Sequence, residues 1–150
     1  MQTDHQLDQQ LCFALYSAAR TAMAGYREEL TAMGLTYTQY VALLALLEED
    51  GRTVSQLGAA LHLDSGTLSP LLGRMVDAGF VERRREGSDG RAVTIHLTPA
   101  GRELEPRVCA MQQRLYESLD MDTDELATLR RLARRFSEAA TTHPDEGAPR

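Results

Sequence analysis

The chain has 150 residues, 43% hydrophobic and 25% charged, which is enough to bury one ordinary core without disulfide or metal staples. No apolar run approaches the roughly 20 residues of a membrane span. The polar start MQTDHQLDQQ lacks the order of a signal peptide, and two cysteines, Cys12 and Cys109, exclude a secreted disulfide framework. A reducing, cytoplasmic setting is the expectation. The net charge of −6 argues against a generally basic nucleic-acid binder, but the charge is uneven. Residues 52–102 carry 7 Arg against 5 acids, whereas 1–51 carry 2 against 7 and 103–150 carry 7 against 10.

Leu7, Leu11, Leu15, Ala18, Ala22 and Tyr26 recur at steps of three or four and predict one long helix from about Gln6 to Met33, ended by Gly34. Thr36 and Gln39 form a capping-box pair before Tyr40, Val41, Leu43, Leu44, Leu46 and Leu47, a helix apolar on too many sides to lie at a surface. A second box, Thr53 and Gln56, opens a short helix. Asp64 caps another over 65–78, with Leu68, Leu71, Leu72 and Met75 inward and Gly79 as its stop. The tight His62-Leu63-Asp64 link gives helix-turn-helix spacing.

The period then changes from 3.6 to 2. Phe80–Arg85 and Ala92–Leu97 read as strands around the turn 86–90, with Val93, Ile95 and Leu97 inward and Thr94 and His96 wet. A hairpin in this place is a wing. Thr98-Pro99 starts another helix, in which Leu104, Val108, Met111 and Leu115 repeat nearly as a heptad seam. Asp122–Glu125 opens a last one with Leu126, Leu129, Leu132, Ala133 and Phe136. The fold class expected is mainly α with a small β-hairpin wing, a single domain with a winged helix-turn-helix core at 35–98. The flanking helices, 6–33 and 99–140, read as an obligate dimer interface; intramolecular packing of the same stripes is the alternative.

On the 65–74 helix, Ser65, Thr67, Ser69 and Arg74 face away from the leucines and can donate to phosphates or base edges in a major groove. A solvated polar face would look the same. Arg83, Arg84, Arg85 and Arg91 bracket the wing tip against only Glu86 and Asp89, and an Arg at a β-ribbon tip suits the negative potential of a narrow minor groove. Asp89 can accept from Arg91 and hold it extended. Cys12 lies one turn before Tyr16, and four of the five tyrosines fall between positions 16 and 40. Tyr26, about 21 Å farther along a straight helix, is beyond reach of its own Cys12. In a symmetric dimer the partner's Tyr26 and Tyr37 could reach it. A lone helix cysteine is otherwise inert core. The four histidines show no metal-ligand spacing, and there is no CxxC, phosphate-cradling glycine loop or nucleophile elbow, so no metal, cofactor or catalytic centre is expected.

This order of elements, with the Asp-x-Arg wing, resembles the MarR family of bacterial repressors. The stretches Leu11-Cys12-Phe13-Ala14-Leu15-Tyr16, Leu35-Thr36-Tyr37-Thr38-Gln39-Tyr40 and Leu63-Asp64-Ser65-Gly66-Thr67-Leu68 are similar to its organic-hydroperoxide-sensing branch, OhrR, over about Leu7 to Gly101. The resemblance implies a homodimer on a palindromic double-stranded DNA operator and Cys12 as the peroxide-reactive thiol. It also implies Tyr26 and Tyr37 of the other protomer as hydrogen-bond partners, with Tyr16 and Phe13 lining the pocket. A small thiol completes the signal chemistry. Two-cysteine members carry a resolving cysteine late in the corresponding helix, whereas Cys109 is early in it, so Cys109 stands as either resolving thiol or buried seam residue. The rivals are a MarR-type repressor released by a small phenolic ligand and a thiol peroxidase.

Overall fold

The computed structural model describes residues 6–86 and 92–141. The chain divides into two compact units, Met1–Leu115 and Tyr116–Arg150. A single 3-10 turn, Leu7–Gln9, precedes helix α1, Leu11–Met33. The long N-terminal helix therefore starts later than its apolar spacing suggests, because Gln10 is extended (φ −84°, ψ 108°). Helix α1 ends on Gly34 at φ 75°, where Gly34 donates to the Thr31 carbonyl and Leu35 to that of Leu30, the left-handed stop that a side chain would disfavour.

Both expected capping boxes form. Thr36 and Gln39 open α2 (Tyr37–Glu48), and Thr53 and Gln56 open α3 (Val54–Leu61). Helix α2 is central as expected, with Leu43 and Leu46 fully buried. His62 adopts a left-handed φ of 53° to turn the chain from α3 into α4 (Ser65–Asp77), and the Asp64 carboxylate accepts from the Thr67 amide at 2.7 Å. Strands β2 (Val81–Glu86) and β3 (Ala92–Leu97) pair antiparallel in the register Val81↔Leu97 to Glu86↔Ala92. Phe80 stays outside the ladder.

Three features differ from the sequence reading. A two-residue strand, β1 (Arg52–Thr53), pairs with the other edge of β3, giving the order β1-β3-β2. Thr94 is consequently buried, not wet: its hydroxyl lies 3.0 Å from His96 Nε2 and 3.4 Å from the Arg84 carbonyl. Second, the helix after Thr98 is two helices, α5 (Pro99–Arg102) and α6 (Glu105–Ser118). Pro106 has no amide hydrogen for the Arg102 carbonyl and its ring crowds that oxygen, so the first helix stops there. Third, Leu104, Val108 and Met111 are buried within the chain in the same core as Leu30, Met33, Leu43 and Leu72, with Leu115 half-buried beside them. That stripe is intramolecular and does not supply the dimer face assigned to it.

Asp50 fastens this junction. One carboxylate oxygen accepts from the Leu97 amide at 2.8 Å, and the other accepts from Arg102 at 2.6 Å, with His96 Nδ1 at 3.6 Å. Thr98 donates to the Gly79 carbonyl and accepts from the Gly101 amide, locking α5 to the start of the hairpin. Helix α7 (Thr123–Thr141) opens on Asp122, whose carboxylate accepts from the Asp124 and Glu125 amides. Its apolar stripe is uncovered: Leu129, Leu132 and Phe136 are all exposed.

Candidate DNA-reading and thiol-sensing sites

Helix α4 is oriented by its leucines. Leu68, Leu71, Leu72 and Met75 are essentially inaccessible, so Ser65, Thr67, Ser69 and Arg74 are all exposed on the remaining face. Between them Gly66, Pro70 and Gly73 occupy successive turns of the outward side, and nothing lies within 4 Å of a side chain built at Gly73. That low profile lets the helix backbone approach a groove closely, a feature the reading of hydroxyls and Arg alone misses. Pro70 also leaves the Gly66 carbonyl without its helical donor, on the solvent side. The Asp64 carboxyl is held below its ordinary value of 3.8, first by the Thr67 amide and then by the Thr67 hydroxyl.

On the hairpin, Arg83, Arg84 and Arg85 are exposed. Arg84 is engaged by Glu82, 2.8 Å from Nε. The wing-tip residues Asp89 and Arg91 lie outside the described residues.

The second constellation is on α1 and the start of α2. Cys12 is the second residue of α1 and is exposed, as are Phe13 and Tyr16 next to it. Tyr26 and Tyr37 are stacked on each other within one chain, with ring centroids 6.2 Å apart. Tyr40 completes a cluster, 5.5 Å from Tyr26 and 5.6 Å from Tyr37, and its hydroxyl accepts from Gln112 of α6 at 2.7 Å. Reading the sequence placed Tyr40 only in the core; its position three residues after Tyr37 on one helix was the signal available. Helix α1 runs unbroken from Cys12 to Tyr26, which puts about 21 Å between them along the axis. One chain therefore does not bring the thiol to the phenols.

Cys109, fifth residue of α6, is exposed in the single chain. Among the described residues no three His, Cys, Asp or Glu side chains are grouped to hold a metal, and no single helix is long and apolar enough to cross a membrane.

Residues 33–92 match the model of the MarR family. The chain is 44% identical over 123 residues to the transcriptional regulator TtmR of Methylorubrum extorquens, covering 82% of the chain and 63% of that longer relative. It is 35% identical to the regulator SarZ of Staphylococcus saprophyticus, with 89% and 91% covered. It is 46% identical to the organic hydroperoxide resistance transcriptional regulator of Bacillus subtilis over 65% of the chain and 67% of the relative. Among solved structures, reduced AbfR bound to DNA, a Staphylococcus epidermidis protein, superposes with a TM-score of 0.77 at 32% identity, covering 91% of the chain and 93% of AbfR. AbfR with its disulfide formed gives 0.65 at 33% identity, with 91% and 90% covered.

Proposed function

The chain belongs to the MarR family of transcriptional regulators, and from that premise we propose that it is a homodimeric repressor of the organic-hydroperoxide-sensing type, which releases a palindromic operator when Cys12 is oxidised. The observation that carries the reading is the separation of an exposed thiol from its phenols. Cys12 sits beside Phe13 and Tyr16 on an uncovered apolar end of α1, and the Tyr26–Tyr37–Tyr40 cluster sits about 21 Å down the same helix. Two chains related by a two-fold axis, with their α1 helices antiparallel, bring each thiol to the other's phenols. The exposed Leu129, Leu132 and Phe136 of α7 supply a second apolar face for the same dimer. The regulator from B. subtilis named for organic hydroperoxide resistance, and AbfR in its reduced and disulfide forms, support thiol oxidation as the signal.

The chemistry balances simply. The Cys12 thiolate attacks the terminal oxygen of the hydroperoxide, an S–O bond forms and the O–O bond breaks. Sulfur loses two electrons, the peroxide gains them, and the leaving alkoxide takes a proton from water to become an alcohol. The sulfenic acid then condenses with a small thiol, releasing water, or with Cys109 where that thiol can reach it.

DNA is held by α4 in the major groove through Ser65, Thr67, Ser69 and Arg74, with Arg83 and Arg84 on the wing stem at the backbone. Arg91, braced by Asp89, enters the minor groove. Tyr37 is the first residue of α2, and α2 packs on both α3 and α4. A thiol that grows by an oxygen or a disulfide crowds the phenols, moves the start of α2 and changes the spacing of the two reading helices. Half-sites about one helical turn apart, roughly 34–36 Å, tolerate little of that.

The test is operator-bound fraction against cumene hydroperoxide. Wild type is expected to release and recover with thiol, and Cys12→Ser to bind normally and ignore the oxidant. Release of Cys12→Ser at wild-type doses would overturn the reading in favour of a ligand-released repressor.

A further inference from the structure

Helix α7 carries a second face, basic where the first is apolar. Between Leu129 and Phe136 the sequence runs Arg130-Arg131-Leu132-Ala133-Arg134-Arg135. At 3.6 residues per turn the four guanidiniums leave the helix on the side opposite Leu129, Leu132 and Phe136. All four are exposed. They form two one-turn pairs, Arg130 with Arg134 and Arg131 with Arg135, each about 6 Å apart along the axis. Among the described residues none of the four meets a carboxylate. The acids before them are placed otherwise: Asp122 accepts from the Asp124 and Glu125 amides, and Glu125 accepts from the Asp122 amide. Asp124 and Glu138 bound the patch at its two ends.

Helix stability does not account for this arrangement. Like charges one turn apart oppose the helix. The macrodipole favours cations in the last turn, and the last turn of α7 has none. The whole chain, at −6, repels a polyanion at long range, so any attraction to one is local. Four guanidiniums in a square supply it, because each fork matches a phosphate group. Duplex DNA presents one such charge per about 1.7 Å of its axis, a density that scattered surface carboxylates do not reach. A lipid surface would take the leucine side of α7 and leave the guanidiniums, at the far pole of the helix, pointing into water.

We propose that the Arg130, Arg131, Arg134 and Arg135 face of α7 binds the phosphate backbone of duplex DNA without regard to sequence, in addition to the contacts of α4 and the wing. It lies on the side of α7 away from the apolar stripe, so pairing of two chains through that stripe leaves it open. A dimer then holds its operator through the winged cores and a second stretch of duplex through α7. Neither Cys12 nor the oxidant enters this inference, which goes beyond operator release.

The test saturates the reduced, full-length protein with a short unlabelled operator duplex and titrates it with a labelled duplex of scrambled sequence. Wild type is expected to take the second duplex with a Kd of about 10⁻⁴–10⁻⁶ M, the range of non-specific binding. Changing all four arginines to Gln should weaken that step about tenfold or more. Its salt dependence should flatten by about three to four units, since each phosphate contact contributes about 0.9. Changing all four to Lys should keep most of the binding. The Gln variant should match wild type in sedimentation and in operator affinity. A saturated wild type that takes no second duplex at low salt, or a Gln variant that takes it as wild type does, overturns the proposal. So does an equal loss for operator and second duplex, which would trace to net charge or to the fold. Tighter binding of poly-glutamate, or of vesicles of anionic phospholipid, than of the duplex would also overturn it, giving the face an acidic-protein or a lipid partner.

Discussion

Helix α2 buries six of its twelve residues, Gln39, Tyr40, Ala42, Leu43, Ala45 and Leu46, whereas α7 leaves Leu129, Leu132 and Phe136 exposed along nineteen. Both carry leucine-rich stripes at helical spacing. The difference is what covers the stripe: α2 has α3, α4 and β3 around it within one chain, and Leu129, Leu132 and Phe136 of α7 stay exposed. The same contrast separates the reading region from the sensing region. Around α4 Leu68, Leu71, Leu72 and Met75 are all buried, and the polar face with Val76 is what remains. Around the first turns of α1, Leu7, Leu11, Phe13 and Tyr16 are all exposed, and the thiol sits among them. One region is largely covered by its own chain, and the other leaves its apolar side chains exposed.

Breaking that second region should have the largest effect. Leu129→Glu with Phe136→Glu adds charge where the single chain has only solvent, so each folded chain should survive. The dimer should not. Sedimentation should report monomers, and operator affinity should fall by about 10²–10⁴-fold as two linked half-site contacts become one. A dimer of wild-type strength in this variant would assign the α7 stripe to something other than self-association.

Within the reading region the expected effects are smaller and local. Arg74→Ala and Arg91→Ala should each weaken operator binding by about 1–3 kcal/mol if the guanidinium reads a base edge. If it holds a phosphate instead, the loss should be uniform across sequences, and the salt dependence should flatten by about one unit. Titrations at several salt concentrations on operator and scrambled DNA separate the two. Unchanged affinity in both variants would remove the winged-helix assignment of these residues.

How legible each region was from residues follows the same division. The boxes at Thr36/Gln39 and Thr53/Gln56, the Asp64 cap and the Thr98-Pro99 start are satisfied within three residues, and all form. Strand β1 is only Arg52–Thr53, and its existence depends on the distant edge of β3. The burial of Thr94 likewise depends on β1 and on His96. The Leu104–Val108–Met111 stripe announced a buried face but not its neighbour, because an apolar face is satisfied equally by its own chain or another. Tyr40 was hidden for a related reason, since a tyrosine in a leucine-rich helix reads as filling until Tyr26 is placed against it.

The junction between the regions offers a sharper handle on stability. Gly101 is buried in α5, and a Cβ there would lie 2.1 Å from the Phe80 carbonyl oxygen. Backbone cannot yield as a side-chain tip can, so Gly101→Ala should cost about 1–3 kcal/mol, the range for overpacking, and separate α5 from the hairpin. Urea unfolding should show the shifted midpoint. Gly73→Ala, which meets nothing inside α4, should instead stabilise by about 0.5–1 kcal/mol through helix propensity, a shift of opposite sign.

The smallest expected effect concerns acid and the Asp64 cap. Its carboxyl lies below the ordinary 3.8 in the folded chain because the Thr67 amide and hydroxyl favour the charged form. A depressed folded value means that the unfolded chain takes up the proton first. The contribution of Asp64 is therefore fully present above 3.8, shrinks as pH falls below it, and is gone once the folded group also protonates. Asp64→Asn keeps an acceptor for the Thr67 amide but has no charge to lose. Wild type should thus be the more stable of the two at neutral pH, with the gap closing below 3.8 and not between 5 and 8. The same variant removes a negative charge at the start of the helix proposed to face phosphates. It should bind scrambled DNA slightly more tightly than wild type at neutral pH, an advantage that fades with salt. A stability gap that stays constant down to strong acid would mean that the Asp64 carboxylate acts by its shape alone.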